Sequence, residues 1–164
     1  MPADAKGKVF ALLDEMRIPY QVTHHPAVYT IEDMENLEME HIDRVMKNLF
    51  VRDDKKRNYY LLTIPKDKHA NMKEVQDKIG SRRLSLANED DLGKYLGLNK
   101  GEVTPFGALN DLDNAVTIIM DNALKEYEFI GVHPNDNTAT VWISPDDLIK
   151  VLKSVNHKVL FISV

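Results

Sequence analysis

The sequence predicts an α/β (α+β) fold in which a mixed, partly antiparallel β-sheet is covered by helices. Helical and strand patterns alternate irregularly along the 164 residues, and polar segments at 53–58 and 134–137 join neighbouring strand patterns as hairpins. Such irregular alternation is not typical of a parallel, doubly wound sheet. With 43% hydrophobic residues, a chain of this length can bury one core but has little room for two. We therefore expect residues 1–164 to form a single domain.

The first helix is predicted at residues 9–16, where apolar residues recur at helical spacing before Ile18-Pro19. Thr30, with Asp33 three residues later, is typical of the start of a short second helix. Alternating residues then predict a strand from Val45 to Asp53.

A second strand is predicted from Tyr59 to Ile64, because Pro65 ends the apolar run. Asn71 is a favourable N-cap for the next helix, and Gly80 is a favourable C-terminal residue for it. The remaining predicted elements of this section are a strand at 84–86, a helix from Asn88 to about Gly97, and a loop at 101–105.

The C-terminal section is predicted to contain a group of strands, one helix and a last strand. The helix begins at Ser144, where an N-cap residue, a proline and two acidic residues follow one another, and it extends to about Lys153. The predicted strands are 116–120, 128–132, 138–143 and 159–164.

Composition excludes several kinds of site. The chain has no cysteine, which rules out a disulfide framework, a thiol nucleophile and a thiolate zinc site. It contains no phosphate-binding glycine-rich loop, no His-Glu-x-x-His motif and no Gly-x-Ser-x-Gly motif. His24 and His25 are adjacent, so in an extended segment they point to opposite faces, and we expect neither a metal nor a cofactor. No segment has the roughly 20 apolar residues of a membrane span, so we expect a soluble, cytoplasmic protein without a membrane partner.

The charge is unevenly distributed along the chain. The net charge is −5, yet residues 44–100 carry 14 Lys and Arg against 8 Asp and Glu, between two acidic flanks. This basic section either contacts a phosphate backbone over a limited footprint or forms an ordinary solvated surface. The acidic flanks favour recognition limited to the end of a nucleic acid.

Lys47 is the most unusual residue of the predicted strand at 45–51. It lies among apolar residues, and alternation places it on the same face as Leu49 and Val51. An ammonium on such a face is either a functional group or an edge-strand lysine whose charged end reaches solvent.

Five segments resemble the YbaK/prolyl-tRNA synthetase-associated editing domain family, which includes the inserted domain of bacterial prolyl-tRNA synthetases. The segment that contains Lys47 resembles the lysine-bearing strand of that family. The other four segments resemble further parts of the family's domain, and all five occur in the family's order and spacing. The segments are Lys47–Asp53, His25–Thr30, Arg83–Ala87, the Gly-x-x-x-Pro loop of Gly101–Gly107, and Gly131–Pro134 with Asn137–Thr140. The late His-Pro hairpin and the Lys-Asn-Leu-Phe string are most similar to the free-standing alanyl-tRNA(Pro) deacylases, whereas residues 38–45 depart from the small, glycine-containing stretch of that family.

The resemblance implies a hydrolase that needs no protein nucleophile, because an aminoacyl ester is already activated. Lys47 would hold the carbonyl or the terminal phosphate, and backbone amides between Gly101 and Gly107 would stabilise the oxyanion. Asn48 and His133 would orient the aminoacyl group, and the free hydroxyl of the terminal ribose would help to activate the water. Pro105 and Phe106 of the glycine loop are further substrate-binding candidates.

Other expectations from the resemblance concern specificity and partners. Arg83 would grip a phosphate or pair with Asp90 or Asp91. The partner is the acceptor end of aminoacylated tRNA(Pro), with prolyl-tRNA synthetase or an elongation factor as further candidates. Two alternatives remain open, namely a deacylase of cysteinyl- or seryl-tRNA and a non-catalytic module that binds charged tRNA in proline metabolism. Candidates for the pocket wall are Ile31, Leu49, Phe106 and His133.

Overall fold

Two β-sheets and five α-helices make up the fold in the computed structural model, which describes residues 5–164. The helices are α1 (Ala5–Glu15), α2 (Ile31–Asn36), α3 (Met72–Ile79), α4 (Glu89–Leu96) and α5 (Pro145–Ser154). The strands are β1 (Gln21–His24), β2 (Met46–Asp53), β3 (Tyr59–Pro65), β4 (Leu84–Leu86), β5 (Val116–Asp121), β6 (Ile130–Val132), β7 (Ala139–Ile143) and β8 (Val159–Ile162). Short 3-10 helices occupy Ile42–Arg44, Pro105–Asn110 and Asn122–Glu126.

The larger sheet is mixed, in the order β4-β2-β3-β5-β8, and the smaller sheet is antiparallel, in the order β1-β7-β6. Strand β2 pairs antiparallel with β3 and β4, while β5 pairs parallel with β3 and β8. The predicted fold class is therefore confirmed, as are both predicted hairpins, β2–β3 and β6–β7. The single-domain assignment stays a prediction.

Apolar side chains project from both faces of the larger sheet. Leu61 and Ile118 belong to the main core, which α1, α4, α5 and the smaller sheet also line. Their neighbours Leu62 and Ile119 face a second cluster that includes Val75 of α3. Successive strand residues thus point to opposite covered faces, which explains why these strands are almost continuously apolar.

The helix ends follow the predicted capping residues. Thr30 Oγ1 accepts a hydrogen bond from the Asp33 amide at 3.0 Å, and Asn88 Oδ1 accepts one from the Asp91 amide at 2.8 Å. Gly80 ends α3 with a φ of 68°, a left-handed conformation that glycine adopts without a steric cost. The other two caps are Asn71 for α3 and Ser144 for α5.

Strand β1 and the three 3-10 helices were not predicted from the sequence. Strand β1 is only four residues long, and three of its residues are polar, so its own pattern carries little signal. Its register is set by β7, with Gln21 opposite Trp142 and His24 opposite Ala139. One mixed sheet was expected, and the pairing of β1 with the β6–β7 hairpin instead produces a separate smaller sheet.

The two sheets meet where Val45, just before β2, forms a parallel bridge with Gly131 of β6. A Cβ atom on Gly131 would lie 2.5 Å from Trp142 Cζ3 and 3.0 Å from Thr140 Cγ2, so only glycine fits without displacing them. Beyond this bridge, β4 pairs with β2 only at Val51–Asp53. The side of β2 around residues 47–49 therefore has no strand partner within the described part of the chain, and it borders a gap between the sheets.

Replacing Gly131 with alanine should destabilise the protein by about 1–3 kcal/mol, because the new methyl group must displace the buried Trp142 ring. Chemical unfolding of both proteins measures the difference. Gly93→Ala is the matched control, because a Cβ atom there meets nothing closer than 4.0 Å in the exposed part of α4. That control should gain about 0.5–1 kcal/mol. Equal stability of Gly131→Ala and the unaltered protein would contradict the steric argument.

Candidate active site

A cavity of about 160 Å³ opens at the start of β2, in the gap between the two sheets. Four of the predicted catalytic and substrate-binding residues line it: Lys47, Asn48, Gly101 and His133. Ile31, a predicted wall residue, lines it as well. The other lining residues are Val28, Tyr29, Thr30, Met34, Val45, Met46 and Val103.

Lys47 and Asn48 point to opposite faces of β2, and both reach the cavity because it lies over the unpaired side of the strand. The Lys47 ammonium donates a hydrogen bond to the backbone carbonyl of Lys68. Thr63 Oγ1, directly across the strand pair, donates to Asn48 Oδ1 at 2.7 Å and fixes the orientation of that amide. The Asn48 NH2 group is thus left to donate toward the cavity.

The charge of Lys47 has no carboxylate partner within 4.0 Å among residues 5–164. Its neighbours in the following loop differ in this respect. Lys66 binds the carboxylates of Glu35 and Asp67 at 3.2 and 3.1 Å, and Lys68 binds Asp121 at 2.6 Å. A half-buried ammonium held only by a carbonyl keeps two N–H donors and a full positive charge for a ligand.

Lys66 holds α2 next to the cavity through its bond to Glu35. Burial alone would lower the pKa of Lys66, but its hydrogen bonds to Asp67 and Glu35 raise that pKa overall. The lysine therefore remains charged, and its ion pair with Glu35 ties the loop after β3 to the helix that carries Ile31 and Met34.

His133 presents one nitrogen to the cavity and uses the other to hold its ring. Its Nδ1 lies 2.8 Å from the Ala139 carbonyl, so this nitrogen carries the proton and donates. Burial lowers the pKa of His133, and the neighbouring His25, whose ring centre is 5.9 Å away, lowers it further against the opposing effect of the Ala139 bond. The ring is therefore neutral near pH 7, and Nε2 is a hydrogen-bond acceptor.

The loop at 101–104 closes the cavity opposite β2. Gly101 has a φ of 85°, and a Cβ atom there would lie 2.7 Å from Tyr29 Cδ1, so a glycine is needed for the loop to pack against Tyr29. Thr104 is fully buried and donates through Oγ1 to the His133 carbonyl at 2.5 Å. The amides of Gly101 and Val103 donate to no other described residue, which leaves them available to an anion at the cavity.

Some predicted site residues lie outside the cavity. Phe106 is fully buried in the main core, and Pro105 is buried beside it. Gly107 packs against Leu96 and Leu98, and its amide already donates to the Thr104 carbonyl at 3.0 Å. That amide is thus not available to an oxyanion, so the role expected of Gly107 does not fit its position.

Arg83 and Leu49 also lie away from this cavity. Arg83 is exposed and precedes Leu84, which pairs with Asp53 at the far end of β2, six residues or roughly 20 Å from Lys47. Of the two alternatives for Arg83, pairing with Asp90 or Asp91 is not seen among the described residues, and Asp91 approaches Arg52 at 4.0 Å. Leu49 lines an adjoining cavity.

Sequence reasoning missed Tyr29, Met34, Val45 and Thr104 as residues that form the site. Tyr29 had a usable signal, because an aromatic side chain next to a helix N-cap has no obvious core partner, and it is 59% exposed. The other three are ordinary core or capping residues in the sequence. Only the folded chain brings Met34 and Val45 to the cavity and places Thr104 behind it, where its hydroxyl donates to the His133 carbonyl.

Comparison with known proteins identifies the family. The family model described as the aminoacyl-tRNA editing domain matches residues 25–151, a range that contains every residue lining the cavity. The chain belongs to the aminoacyl-tRNA editing domain family. It is 49% identical over 154 residues to the prolyl-tRNA editing protein ProX of Acetoanaerobium sticklandii, covering 94% of each chain.

Two further matches extend this family relationship. The prolyl-tRNA synthetase associated domain-containing protein 1 of Mus musculus is 33% identical over 163 residues, again covering 94% of both chains. A solved structure described as a proposed trans-editing enzyme for prolyl-tRNA synthetase superposes with a TM-score of 0.72 at 15% identity, covering 100% of this chain and 99% of that one. The structural match shows that the editing-domain fold is shared.

Residues 5–164 contain neither a metal-binding cluster nor a helix that could span a membrane. No three His, Cys, Asp or Glu side chains are grouped so that they could hold a metal ion. None of the helices there has the length and apolar character to cross a membrane.

Replacing Thr104 with valine should destabilise the protein by about 1–3 kcal/mol, because the change leaves the His133 carbonyl without its hydroxyl partner. Thermal and chemical unfolding measure the loss. Thr104→Ser is the control, since it keeps the hydroxyl group and should retain most of the stability. If the serine variant were as unstable as the valine variant, the hydrogen bond would not be the cause.

Proposed function

We propose that this protein is a free-standing editing deacylase that hydrolyses the ester bond of alanyl-tRNA(Pro) and releases alanine and free tRNA(Pro). The observation that carries the proposal is the uncompensated ammonium of Lys47 at a cavity of about 160 Å³ in a chain of the editing-domain family. The name of the ProX relative, a prolyl-tRNA editing protein, supports the choice of tRNA.

The reaction needs positioning and charge stabilisation rather than a protein nucleophile. A water oxygen attacks the ester carbonyl carbon, and negative charge develops on the carbonyl oxygen. Lys47 holds that oxygen or the terminal phosphate, and the amides of Gly101 and Val103 donate to the oxyanion. The ester C–O bond then breaks, and the ribose oxygen takes a proton. The neighbouring ribose hydroxyl helps to activate the water, which accounts for a site built without a Ser-His-Asp arrangement.

The amino acid is held in a small and partly apolar space. Ile31, Met34 and Val45 surround the position that a methyl side chain would take. Asn48 donates to the aminoacyl carbonyl, and Nε2 of neutral His133 accepts a hydrogen bond from its α-ammonium group. The cavity excludes the pyrrolidine ring of the correct product, so correctly charged prolyl-tRNA is spared.

A second site of this kind is needed because a synthetase pocket built for proline cannot strongly reject a smaller amino acid. Removing a methylene group changes the binding free energy by only about 1–3 kcal/mol. The partner is the acceptor end of charged tRNA(Pro), and prolyl-tRNA synthetase or an elongation factor would deliver it. The protein acts in the cytoplasm, where tRNA is charged.

Lys47→Ala should lower kcat for alanyl-tRNA(Pro) about 10²–10³-fold, the usual effect of removing one group that stabilises an oxyanion. Release of labelled alanine at saturating substrate measures the change. Lys73→Ala, which removes an exposed charge from α3, is the matched control and should keep full activity. Parallel assays with cysteinyl-, seryl- and prolyl-tRNA(Pro) test specificity, and failure to hydrolyse any of the four would refute the deacylase proposal.

His133→Asn should retain the hydrogen bond to the Ala139 carbonyl but lose the Nε2 acceptor, so KM should rise about tenfold with little loss of stability.

Because the pKa of His133 is lowered on folding, its ring stays neutral as the pH falls through about 6.5 and becomes protonated only at lower pH. The affinity of the unaltered enzyme for the charged tRNA should therefore decline only as the pH falls below about 6.5, where a protonated His133 can no longer accept a hydrogen bond from the α-ammonium group. A pH profile of kcat/KM measures this acidic decline, which should be absent in His133→Asn; an unchanged decline would assign it to another group.

A further inference from the structure

The carbonyl that accepts a hydrogen bond from Lys47 belongs to a residue whose own side chain is held by a buried carboxylate. The Lys68 ammonium donates to Asp121 Oδ2 at 2.6 Å, and the Asp121 side chain, at the end of β5, is only 1% exposed. Within residues 5–164, no other cation lies within 4.0 Å of that carboxylate. Lys68 therefore has two contacts: its ammonium balances the charge of Asp121, and its carbonyl accepts from Lys47.

The second oxygen of Asp121 fixes the carboxylate to the backbone. Asp121 Oδ1 accepts from the Ala123 amide at 3.2 Å and from the Val164 amide at 3.4 Å. The Lys68 ammonium adds a bond to the Val164 carbonyl at 3.3 Å. Because β5 lies between β3 and β8, this carboxylate is part of the rigid sheet, and the ion pair restrains Lys68 in the loop after β3.

Lys47 and Asp121 lie on the same face of the larger sheet and at the same level. Lys47 is opposite Ile64 of β3, and the parallel register of β5 on β3 brings Asp121 level with Ile64. This row crosses three strands and is roughly 10 Å long, because neighbouring strands are about 4.8 Å apart. Lys68 bridges the row, with its carbonyl at the Lys47 end and its ammonium at the Asp121 end.

The bridge supplies what a functional lysine needs. A lysine side chain has many rotamers, and it samples them freely unless a partner holds the ammonium. A carboxylate partner would offset the positive charge, whereas a carbonyl leaves that charge for a ligand. The carbonyl can hold Lys47 only where its own peptide is fixed. Here the Lys68 amide donates to the Pro65 carbonyl at 3.1 Å, and the Lys68 side chain is held by Asp121.

We propose that the Lys68–Asp121 ion pair positions Lys47, by fixing the carbonyl that directs the Lys47 ammonium into the cavity. Lys68 and Asp121 are positioning residues, since neither lines the cavity and both act through Lys47. The catalytic consequence rests on the proposed function, in which Lys47 stabilises developing charge, whereas the placement of the ammonium does not. If the ion pair only stabilised the fold, its loss would lower stability and leave Lys47 in place.

Lys68→Met/Asp121→Asn removes the ion pair without leaving a buried charge unpaired. Methionine keeps most of the side-chain length, and asparagine keeps an oxygen for the two backbone amides. Lys78→Met is the matched control, because the Lys78 ammonium also donates to a carbonyl of the C-terminal segment, that of Ser163, but Lys78 lies on α3 and lines no part of the cavity. Urea unfolding shows that each protein compared is folded.

The placement of Lys47 is measured without any substrate. Carbon-13 NMR relaxation of the Lys47 Cε group in the intact protein reports how freely the side chain moves, and the loss of its signal in Lys47→Ala identifies it. The group should be restricted in the unaltered protein and in Lys78→Met. In the double variant it should move as freely as the Cε group of the exposed Lys73. Equal restriction of Lys47 in the double variant would overturn the proposal.

In the deacylase assay, the double variant should lower kcat for alanyl-tRNA(Pro) about tenfold to a hundredfold, because a misplaced group loses much of its effect. KM should change by less than about twofold. The same two substitutions in Lys47→Ala should cost no further activity, since residues that act through Lys47 then have nothing to position. Lys68→Arg alone, which keeps a cation beside Asp121, should keep most of the unaltered kcat. A loss of equal size with and without Lys47 would assign the pair a structural role and refute the proposal.

The outcome is separable from that of the proposed function. A Lys47 side chain that loosens in the double variant of a protein that hydrolyses no charged tRNA would refute the deacylase and keep the placement of Lys47 by the ion pair. Hydrolysis with a kcat indifferent to the ion pair would refute the positioning role and keep the deacylase.

Discussion

The contact between Val45 and Gly131 is the point on which the arrangement of the site depends. It joins the start of β2 to the β6–β7 hairpin, and it occurs where β4 no longer pairs with β2. The absent side chain of Gly131 lets the two backbones approach while Trp142 packs over the glycine. The result is a gap between two sheets, bordered by a strand with an unpaired side, and the cavity that holds Lys47 and His133 opens there.

Backbone carbonyls hold the groups that face the first cavity. The Lys68 carbonyl accepts from Lys47, the Ala139 carbonyl accepts from His133, and the His133 carbonyl accepts from Thr104. A carbonyl carries no charge, so it orients these side chains without neutralising the positive charge of the ammonium and without favouring the charged form of the imidazole as a carboxylate would. The carboxylates near the site are instead engaged by Lys66 and Lys68, which leaves Lys47 with the net positive charge at the cavity.

Such a site suits the cleavage of an activated ester. A nucleophilic side chain is unnecessary when the substrate itself supplies a nearby hydroxyl and the protein supplies donors at fixed positions. The cavity itself is small, at about 160 Å³, and both polar and apolar side chains line it.

The sequence by itself determined the local structure and the centre of the site. The caps at Thr30, Asn71, Asn88 and Ser144 are short-range interactions that any chain with these residues favours, so the helices were predictable, and the lysine strand was recognisable from its pattern. Lys47, Asn48, Gly101 and His133 were identified from motifs, and the folded chain brings all four to one cavity.

Only the tertiary structure decided which residues of each motif face that cavity. Gly107 and Phe106 belong to the same segment as Gly101, yet the 3-10 helix that begins at Pro105 turns them into the core. Arg83 directly precedes β4, the strand next to β2, but the register of β4 places it at the opposite end of β2 from Lys47. Strand β1 and the bridge from Val45 to Gly131 depend on residues far apart in the chain. Register and packing between such distant segments are set by how side chains fit together in space, and no local pattern encodes that fit.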